Sequence, residues 1–318
     1  MSRPPLLAIV GPTATGKSDL ALALARKIHG EILSADSMQI YRYMDIGTAK
    51  PPKKIREAIP HNFIDILDPD ETYSAGEFAR QAHRLIREKT RQGIPLILVG
   101  GTGLYIKALE KGLVTLPPIS REVEATLWET YVNEGLPPLY ERLRQVDPVT
   151  ASIVHPHDRF RILRALGIFE TTGTPLSLLQ TRHGFRKIAI SLWKVGLIYP
   201  REFLYKRIET RVDDMIKNGW IEEVETLLEK GYRETLKPMQ AIGYKQLVRL
   251  IQGKMTRKEA VEEIKKETRH LAKRQITWFR KEPPKFWMTL KGNQVDEMAE
   301  NLLTLCMEGK ETWKPEKV

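Results

Sequence analysis

The feature that most constrains the fold is an eight-residue loop, GPTATGKS, at residues 11–18. It matches the pattern G-x-x-x-x-G-K-[ST] and lies between an apolar run at 6–10 and an amphipathic pattern at 17–29. Between a strand and a helix, such a loop wraps its backbone N–H groups around a diphosphate, and the helix N-terminus adds positive charge. We therefore predict a phosphate site formed by Gly11, Pro12, Thr13, Ala14, Thr15, Gly16, Lys17 and Ser18.

Two side chains of this loop carry specific chemistry. Lys17 supplies a mobile positive charge, and the Ser18 hydroxyl is of the kind that binds Mg²⁺ beside a phosphate. Magnesium is therefore the expected cofactor, with Ser18 as its protein ligand. The loop recognises a diphosphate but does not specify a reaction.

Short apolar runs alternate with helical patterns over the first hundred residues, which is typical of βαβ units. The predicted strands are residues 6–10, 31–35, 61–67 and 95–99, and the predicted helices are 17–29, 74–92 and 103–111. The sequence thus predicts an α/β protein with a P-loop NTPase-like parallel sheet flanked by helices.

The pattern changes near residue 116, where Pro-Pro pairs begin to separate short helical stretches. We predict a helical insertion at 116–192 between a first core part, 1–115, and a second core part, 193–318. In the second part we expect strands at 195–199 and 286–290, and helices at 202–217, 221–230, 256–282 and 295–307.

The charge balance points to a polyanionic partner. Lys and Arg number 51 against 40 Asp and Glu, a net charge of +11. The helix predicted at 256–282 is rich in Lys and Arg, and Arg269, Lys273 and Arg280 share roughly one of its faces. Phosphate contacts and an ordinary solvated face both fit that pattern.

The cellular setting follows from what the sequence lacks. The single cysteine, Cys306, cannot form an internal disulfide, and no apolar run approaches a membrane span. The apolar run after the first five residues is too short for a signal peptide. We expect a cytoplasmic monomer with no membrane contact.

Two polar residues follow predicted strands at the same sheet edge as the phosphate loop. Asp36 follows the second strand, and Thr102 follows the fourth, in the turn Gly-Gly-Thr-Gly. Nucleotide hydrolases of this class commonly place a magnesium-binding Asp after an apolar strand, and here that strand ends in glycines instead. Asp36 as a turn cap and Thr102 as part of a tight turn remain possible from these residues alone.

Five stretches resemble the bacterial family of tRNA dimethylallyltransferases, also called tRNA isopentenyltransferases. They span nearly the whole chain in the family's order: the phosphate loop from Gly11, DSMQIY from Asp36, DIGTAKP from Asp45, VGGTGLY from Val99 and AKRQITWFR from Ala272. The resemblance implies transfer of a dimethylallyl group from its diphosphate to the exocyclic amine of adenosine 37 in tRNAs that read codons beginning with U.

The resemblance also implies roles for individual residues. Asp36 corresponds to the general base, Thr102 to a hydroxyl near the reacting centre, and Lys17 and Arg211 to groups that stabilise the departing diphosphate. Arg207 and Arg211 lie four residues apart on one helix face and can reach one anion. Salt bridges with Asp213 and Asp214 are the alternative for these arginines.

The tRNA is expected to contact several segments, and the insertion is expected to face its anticodon stem-loop. The residues so implied are Asp36, Ser37, Met38, Gln39, Thr102, Phe160, Arg161, Ile162, Leu163, Arg164, Gln240, Ala241, Ile242, Gly243, Tyr244, Lys245, Lys273, Arg274 and Arg280. Gln39 is expected to help recognise the adenine after it leaves its stack.

Three other functions remain open from the residues. A P-loop kinase of small metabolites would turn over ATP without tRNA. An adenylate isopentenyltransferase would share the loop and the aspartate but would act on free nucleotide. A nucleic-acid-binding protein could use the loop as a nucleotide switch. The cluster His155, His157 and Asp158 is interpreted as a turn and helix cap rather than a metal site.

Overall fold

The computed structural model describes residues 6–113, 116–183, 190–290 and 294–307. This part of the chain divides into two compact units. One unit is Met1–Glu110 with Ile190–Val318, and the other is Lys111–Ala189. The sequence placed the insertion at 116–192, but Leu192 is the first residue of a strand in the main sheet, so the insertion ends before it.

The first unit contains a six-stranded parallel sheet with strand order β3-β2-β4-β1-β5-β6. The strands are β1 (Leu6–Val10), β2 (Glu31–Ser34), β3 (His61–Asn62), β4 (Leu96–Gly100), β5 (Leu192–Leu197) and β6 (Phe286–Met288). The predicted parallel sheet of the P-loop class is confirmed. β1 lies between β4 and β5, and four of its five residues are buried, as its unbroken apolar sequence requires.

Helices cover the sheet and extend the first unit. In chain order they are α1 (Lys17–Ile28), α2 (Lys53–Ala58), α3 (Ala75–Arg91), α4 (Gly103–Lys111), α10 (Arg201–Lys217), α11 (Trp220–Glu229), α12 (Tyr244–Ile251), α13 (Arg257–Lys281) and α14 (Val295–Met307). A one-turn 3₁₀ helix, Pro238–Gln240, precedes α12. α1 packs with β1, β4 and α14 around the main apolar core.

The regular secondary structure of the insertion is helical throughout its described residues. It contains α5 (Arg121–Glu134), α6 (Pro137–Val146), α7 (Pro148–Ile153), α8 (Arg159–Thr172) and α9 (Leu176–His183), around an apolar core of its own. Asp158 accepts a hydrogen bond from the Arg161 N–H at 3.1 Å and caps α8. The interpretation of the histidine-rich segment as a helix cap is therefore confirmed.

The strand predicted at 61–67 forms only over two residues. Phe63 and Asp65 have φ angles of 68° and 56°, which an extended strand cannot contain. Asp65 instead accepts hydrogen bonds from Lys50 Nζ and from Arg56 NH1, both at 2.5 Å. Ion pairs with Lys50 and Arg56, which lie 15 and 9 residues away in sequence, thus hold Asp65 in this non-extended segment.

No helix in the described ranges has the length and apolar character needed to cross a membrane.

Candidate active site

A cleft of about 1170 Å³ opens at the carboxyl ends of β1, β2 and β4. Residues 13–18 of the phosphate loop, Asp36, Arg207 and Arg211 all line it. In parallel sheets this edge collects the loops that follow each strand, so residues distant in sequence meet there. The predicted convergence is therefore present for the phosphate loop and Asp36, whereas Thr102 does not line the cleft.

The start of α1 is arranged to receive an anion. Gly16 precedes the helix with a φ of 82°, and no side chain caps the first turn. The first N–H groups of a helix have no partner within the helix, so they are available to a bound phosphate. Thr15 donates its hydroxyl to the Pro12 carbonyl at 2.9 Å and is fully buried, which fixes the loop's own shape.

Lys17 lines the cleft, and little negative charge lies near its amine. Its Nζ donates to the Pro12 carbonyl at 2.6 Å. The pKa of Lys17 is lowered to about 7, first by burial and then by the nearby Arg211 charge, while the Asp36 carboxylate acts in the opposite direction. A bound diphosphate would supply the negative charge that this amine lacks.

Helix α10 brings two arginines to the same cleft. Arg207 Nε donates to the Ala14 carbonyl at 2.8 Å, and its guanidinium lies 5.2 Å from the Tyr199 ring centroid. Burial lowers the pKa of Arg211, and the carboxylates of Asp36 and Asp19 partly offset that effect. Both arginines line the cleft, as their four-residue spacing predicted.

The alternative of a salt-bridged face on α10 does not describe these arginines. Asp213 forms its ion pair with Lys265 of α13, at 2.8 Å. Among the described residues, neither Arg207 nor Arg211 has a carboxylate within salt-bridge distance. Their charges therefore face the cleft without a direct ion-pair partner among the described residues.

Asp36 combines a structural role with a position on the cleft wall. Its Oδ1 accepts hydrogen bonds from the N–H groups of Met38 at 2.8 Å and Gln39 at 3.4 Å. The turn-capping interpretation is thus correct for one carboxylate oxygen. The side chain nevertheless lines the cleft and acts electrostatically on Lys17 and Arg211.

Thr102 joins the turn after β4 to the segment after β2. Its Oγ1 accepts from the Ser37 N–H at 3.1 Å and donates to the Ser37 hydroxyl at 3.4 Å. Its own N–H donates to the Ala35 carbonyl at 3.2 Å. Thr102, Ser37 and Met38 are half-buried and are not part of the cleft wall.

The side-chain amide of Gln39 is already engaged within the protein. Its Oε1 accepts from the Ser34 hydroxyl at 2.9 Å, and its Nε2 donates to the carbonyls of Thr48 at 3.2 Å and Ala49 at 3.4 Å. In this structure Gln39 holds the segment that follows it, rather than presenting a free amide to a base.

Gln275 of α13 is a site residue that the sequence reasoning missed. Its Oε1 accepts from the Thr13 N–H at 2.9 Å, and its Nε2 donates to the Gly101 carbonyl at 3.1 Å. It therefore ties the phosphate loop to the turn that carries Thr102. The only available signal was its place within the stretch that begins at Ala272.

A buried lysine was also missed. Lys50 Nζ donates to the Tyr41 carbonyl at 2.6 Å, to Asp45 Oδ1 at 2.9 Å and to Asp65 Oδ1 at 2.5 Å. Arg56 pairs with the other oxygen of Asp65. This network fixes the segment from Tyr41 to Lys50, in which Asp45 and Lys50 both line the cleft.

Residues at the start of α1 have the chemistry for a magnesium ion. Ser18 and Asp19 are exposed, follow Lys17 directly and both line the cleft. A hydroxyl and a carboxylate are hard oxygen donors of the type that Mg²⁺ prefers, and the ion usually keeps several waters. The donor set fits magnesium bound together with a phosphate.

The predicted RNA-contact residues of the first unit differ in exposure. Lys273, Arg274 and Arg280 are exposed on α13, while the side chain of Tyr244 is 1% exposed to solvent. Gln240 is exposed, and its Nε2 donates to the Glu234 carbonyl at 2.6 Å. Ala241, Ile242 and Lys245 are partly exposed, and Gly243 is buried.

In the insertion, α8 presents only part of its predicted contact segment. Phe160 is 81% exposed, and Arg161 and Arg164 are exposed too, although Arg161 forms an ion pair with Asp158 at 3.1 Å. Ile162 is fully buried in the insertion core, and Leu163 packs against that core. The expectation for these two residues needs correcting, because their side chains stabilise the helix instead of facing outward.

Comparison with protein families adds an independent finding. A family model described as IPP transferase matches residues 39–282. A tRNA dimethylallyltransferase 2 from Geotalea uraniireducens is 46% identical over 301 residues, covering 95% of this chain and 94% of that protein. A tRNA dimethylallyltransferase from Syntrophobacter fumaroxidans is 47% identical, covering 89% of this chain and 83% of that protein.

Solved structures agree with these sequence relatives. A tRNA delta(2)-isopentenylpyrophosphate transferase from Staphylococcus epidermidis superposes with a TM-score of 0.69 at 38% identity, covering 96% of this chain and 100% of that one. A eukaryotic dimethylallyltransferase acting on tRNA gives a TM-score of 0.78 at 27% identity, covering 96% of this chain and 78% of that one.

Proposed function

The chain belongs to the IPP transferase family of tRNA dimethylallyltransferases, and from that premise we propose the reaction that its cleft performs. It transfers a dimethylallyl group from dimethylallyl diphosphate to the exocyclic amine of adenosine 37, beside the anticodon of tRNAs that read codons beginning with U. Diphosphate is released. The enzyme acts as a monomer in the cytoplasm.

One observation supports this proposal above the others. A carboxylate, Asp36, shares a single cleft with an uncapped helix N-terminus and with the cations Lys17, Arg207 and Arg211. A kinase site also needs the cations, but it needs no carboxylate placed to remove a proton from an adenine amine. The reaction of the family to which the chain belongs does require a base for an adenine amine, and Asp36 can serve as that base.

The leaving group determines what the cations do. As the bond between the allylic carbon and oxygen breaks, negative charge accumulates on the diphosphate oxygens. Backbone N–H groups of the loop, with Lys17, Arg207 and Arg211, stabilise that charge because they are already oriented in a partly buried site. Magnesium, held by Ser18 with Asp19 beside it, would neutralise further diphosphate charge when bound.

The acceptor amine needs a base because an adenine N6 is a weak nucleophile. As its nitrogen bonds to the allylic carbon, one proton leaves the nitrogen for Asp36, and the carbon–oxygen bond to diphosphate breaks. General-base assistance of this kind contributes roughly 10²- to 10⁴-fold in rate. Thr102, hydrogen-bonded to Ser37, steadies the turn on which Asp36 lies.

Product analysis tests the proposal directly. Unmodified tRNA is incubated with dimethylallyl diphosphate and MgCl₂, digested to nucleosides and examined by mass spectrometry. We expect one isoprene unit on the adenosine next to the anticodon and release of one diphosphate. Phosphate transfer from ATP without tRNA would instead support a kinase, and prenylation of free AMP would support an adenylate isopentenyltransferase.

A further inference from the structure

Glu223 of α11 gathers three consecutive backbone N–H groups of the cleft wall. Its Oε2 accepts from Asp45 at 2.7 Å and from Ile46 at 2.6 Å, and its Oε1 accepts from Gly47 at 3.2 Å. Successive N–H groups that converge in this way form a concave anion site, which here is occupied by a side chain of the same protein. Charge-assisted hydrogen bonds of this kind are stronger than neutral ones.

These N–H groups belong to a segment that faces the cleft. We call residues 45–51 the wall segment; six of its seven residues line the cleft, namely Asp45, Ile46, Thr48, Ala49, Lys50 and Pro51. Ala49 has a φ of 50°, an unfavourable conformation for a residue with a Cβ. Gln39, which lies three residues after Asp36 in sequence, donates to the Thr48 and Ala49 carbonyls. The position of the wall segment therefore bears on the catalytic carboxylate.

The same carboxylate also holds the start of α12. The Tyr244 hydroxyl donates to Glu223 Oε1 at 2.7 Å, and the Tyr244 side chain is buried. Burial raises the pKa of Tyr244 well above its usual value, and the neighbouring Glu223 charge acts in the same direction, so the phenol stays protonated and remains the donor. Tyr244 lies within residues 240–245, a segment expected to contact RNA.

Packing reinforces this connection. The Trp220 ring lies so close to Gly47 and Gly243 that a Cβ atom at either position would overlap it. One of these glycines is in the wall segment and the other precedes Tyr244. The Trp220 and Tyr244 rings meet edge to face at 5.8 Å between centroids. The wall segment and the start of α12 thus both pack against Trp220 of α11, with no free space at Gly47 or Gly243.

We propose that Glu223 is a positioning residue that couples RNA binding at residues 240–245 to donor binding in the cleft. Contact of RNA with that segment restrains the start of α12, where Tyr244 already holds Glu223, and Glu223 in turn holds the wall segment of the donor cleft. Because binding linkage is reciprocal, a bound donor strengthens RNA binding by the same factor. This inference rests on the proposed function, since it requires that both RNA and an isoprenoid diphosphate bind.

The test measures the Kd of a donor analogue without RNA divided by its Kd with RNA. A purely structural role of Glu223 would leave this ratio unchanged. The probe is a donor analogue in which sulfur replaces the oxygen between the allylic carbon and the diphosphate, which slows ionisation. Its Kd is measured by calorimetry with MgCl₂, alone and with a saturating unmodified anticodon stem-loop RNA. For the wild-type protein we expect the RNA to tighten the analogue by about fivefold or more.

Tyr244→Phe separates coupling from folding, because it keeps the ring and leaves the three N–H contacts of Glu223 in place. We expect the analogue Kd without RNA to stay within about twofold of wild type, and the ratio to fall towards one. Glu223→Gln, which weakens the contacts to both segments, should lower the ratio and also weaken binding without RNA. Tyr232→Phe removes a hydroxyl elsewhere in the same unit and should retain the wild-type ratio.

A wild-type ratio of one, or an unchanged ratio in Tyr244→Phe, would overturn the inference. The proposed function is judged separately by the mass of the modified nucleoside. Prenylation by the wild-type protein with no coupling would defeat only the inference, whereas absence of prenylated adenosine would defeat the function as well.

Discussion

At the scale of a single residue, the substitution that tests Asp36 must spare the turn, because one of its oxygens caps that turn. Removing the whole side chain would also release the N–H groups of Met38 and Gln39. Asp36→Asn keeps an oxygen for those N–H groups and removes the proposed base. We expect prenyl transfer to fall by roughly 10²- to 10⁴-fold in single-turnover assays, with tRNA affinity nearly unchanged.

The matched control for Asp36→Asn uses another carboxylate of the same cleft. Asp19→Asn also removes one negative charge near Arg211. Asp19 is proposed only to stand beside a magnesium ion, so its substitution should change the magnesium requirement more than the rate at saturating magnesium. Full transfer activity in Asp36→Asn would rule out Asp36 as the base.

Lys17 is expected to impose a pH dependence on donor binding. Burial holds its pKa at about 7 in the free protein, so the amine loses its charge as the pH rises through that value. Binding of a diphosphate then requires uptake of a proton, and affinity falls with increasing pH by up to about tenfold per unit. Between roughly pH 7.5 and 9 we expect the Kd for inorganic diphosphate with magnesium to rise steadily.

Lys17→Arg provides the comparison, because a guanidinium stays charged over this range. We expect weaker binding near neutral pH, owing to the different shape of the side chain, but a much flatter pH profile. Equal slopes for the two proteins would show that another group is responsible for the pH dependence.

The site residues that a sequence can reveal are those that belong to local patterns. The phosphate loop, Asp36 and Thr102 follow predicted strands, and the structure gathers their segments at one sheet edge. Gln275 and Glu223 carry no such pattern, because each acts through backbone groups at least 174 residues away in sequence. Only the folded chain shows which N–H groups they meet.

At the scale of the element, α13 has two faces with different roles. Lys266, Lys273 and Arg280 repeat every seven residues and are exposed along about 21 Å of helix. Arg269, which the sequence placed on the same face, instead pairs with a glutamate of α10 at 2.6 Å. Gln275 lies on the opposite face and contacts the phosphate loop. The helix therefore carries an exposed basic stripe on one side and a site-facing residue on the other.

This stripe predicts how RNA affinity depends on salt. If Lys273 and Arg280 each neutralise one phosphate, replacing either with Ala should weaken RNA binding at low salt. Each should also reduce the slope of log K against log salt concentration by about 1. Filter binding from roughly 50 to 300 mM KCl would measure both quantities, since phosphate contacts weaken strongly over that range.

Arg84→Ala is the control for this series, because it removes an exposed cation from α3, outside the predicted RNA surface. It changes the net charge by the same amount as Arg280→Ala. We expect its slope to match that of the wild-type protein. A change as large as that of Arg280→Ala would mean that net charge, rather than the α13 stripe, determines the affinity.

Elements were predictable where their residues alone determined them. β1, α1 and α13 follow from apolar periodicity and from end signals such as Thr256, which accepts from the Glu259 N–H at the start of α13. The segment 61–67 was not predictable, because its strand pattern is overridden by the Lys50 and Arg56 contacts to Asp65. Helix α2 carries no buried residue and gave no periodic signal.

At the scale of the whole molecule, the chain leaves the sheet and returns to it at nearly the same point. Glu110, at the end of α4, pairs with Lys194 of β5 at 2.7 Å, although 84 residues separate them. β4 and β5 both pair with β1, so only one strand separates the strand before the insertion from the strand after it. The insertion and the first unit, which contains the sheet and is called the sheet unit below, also have separate apolar cores.

This arrangement predicts that the sheet unit folds without the insertion. Replacing residues 112–189 with a flexible linker of about six Gly and Ser residues, which spans on the order of 13 Å, should preserve cooperative unfolding. Binding of inorganic diphosphate with magnesium should stay within about twofold of wild type, because every described residue that lines the cleft belongs to the unit that contains the sheet. Affinity for tRNA should fall by at least about tenfold, since Arg161, Arg164 and the other exposed cations of the insertion are lost.

Calorimetry and filter binding on the same preparation measure the two affinities. Unchanged tRNA binding would exclude the insertion from the RNA surface, and loss of diphosphate binding in a folded protein would show that the insertion supports the cleft.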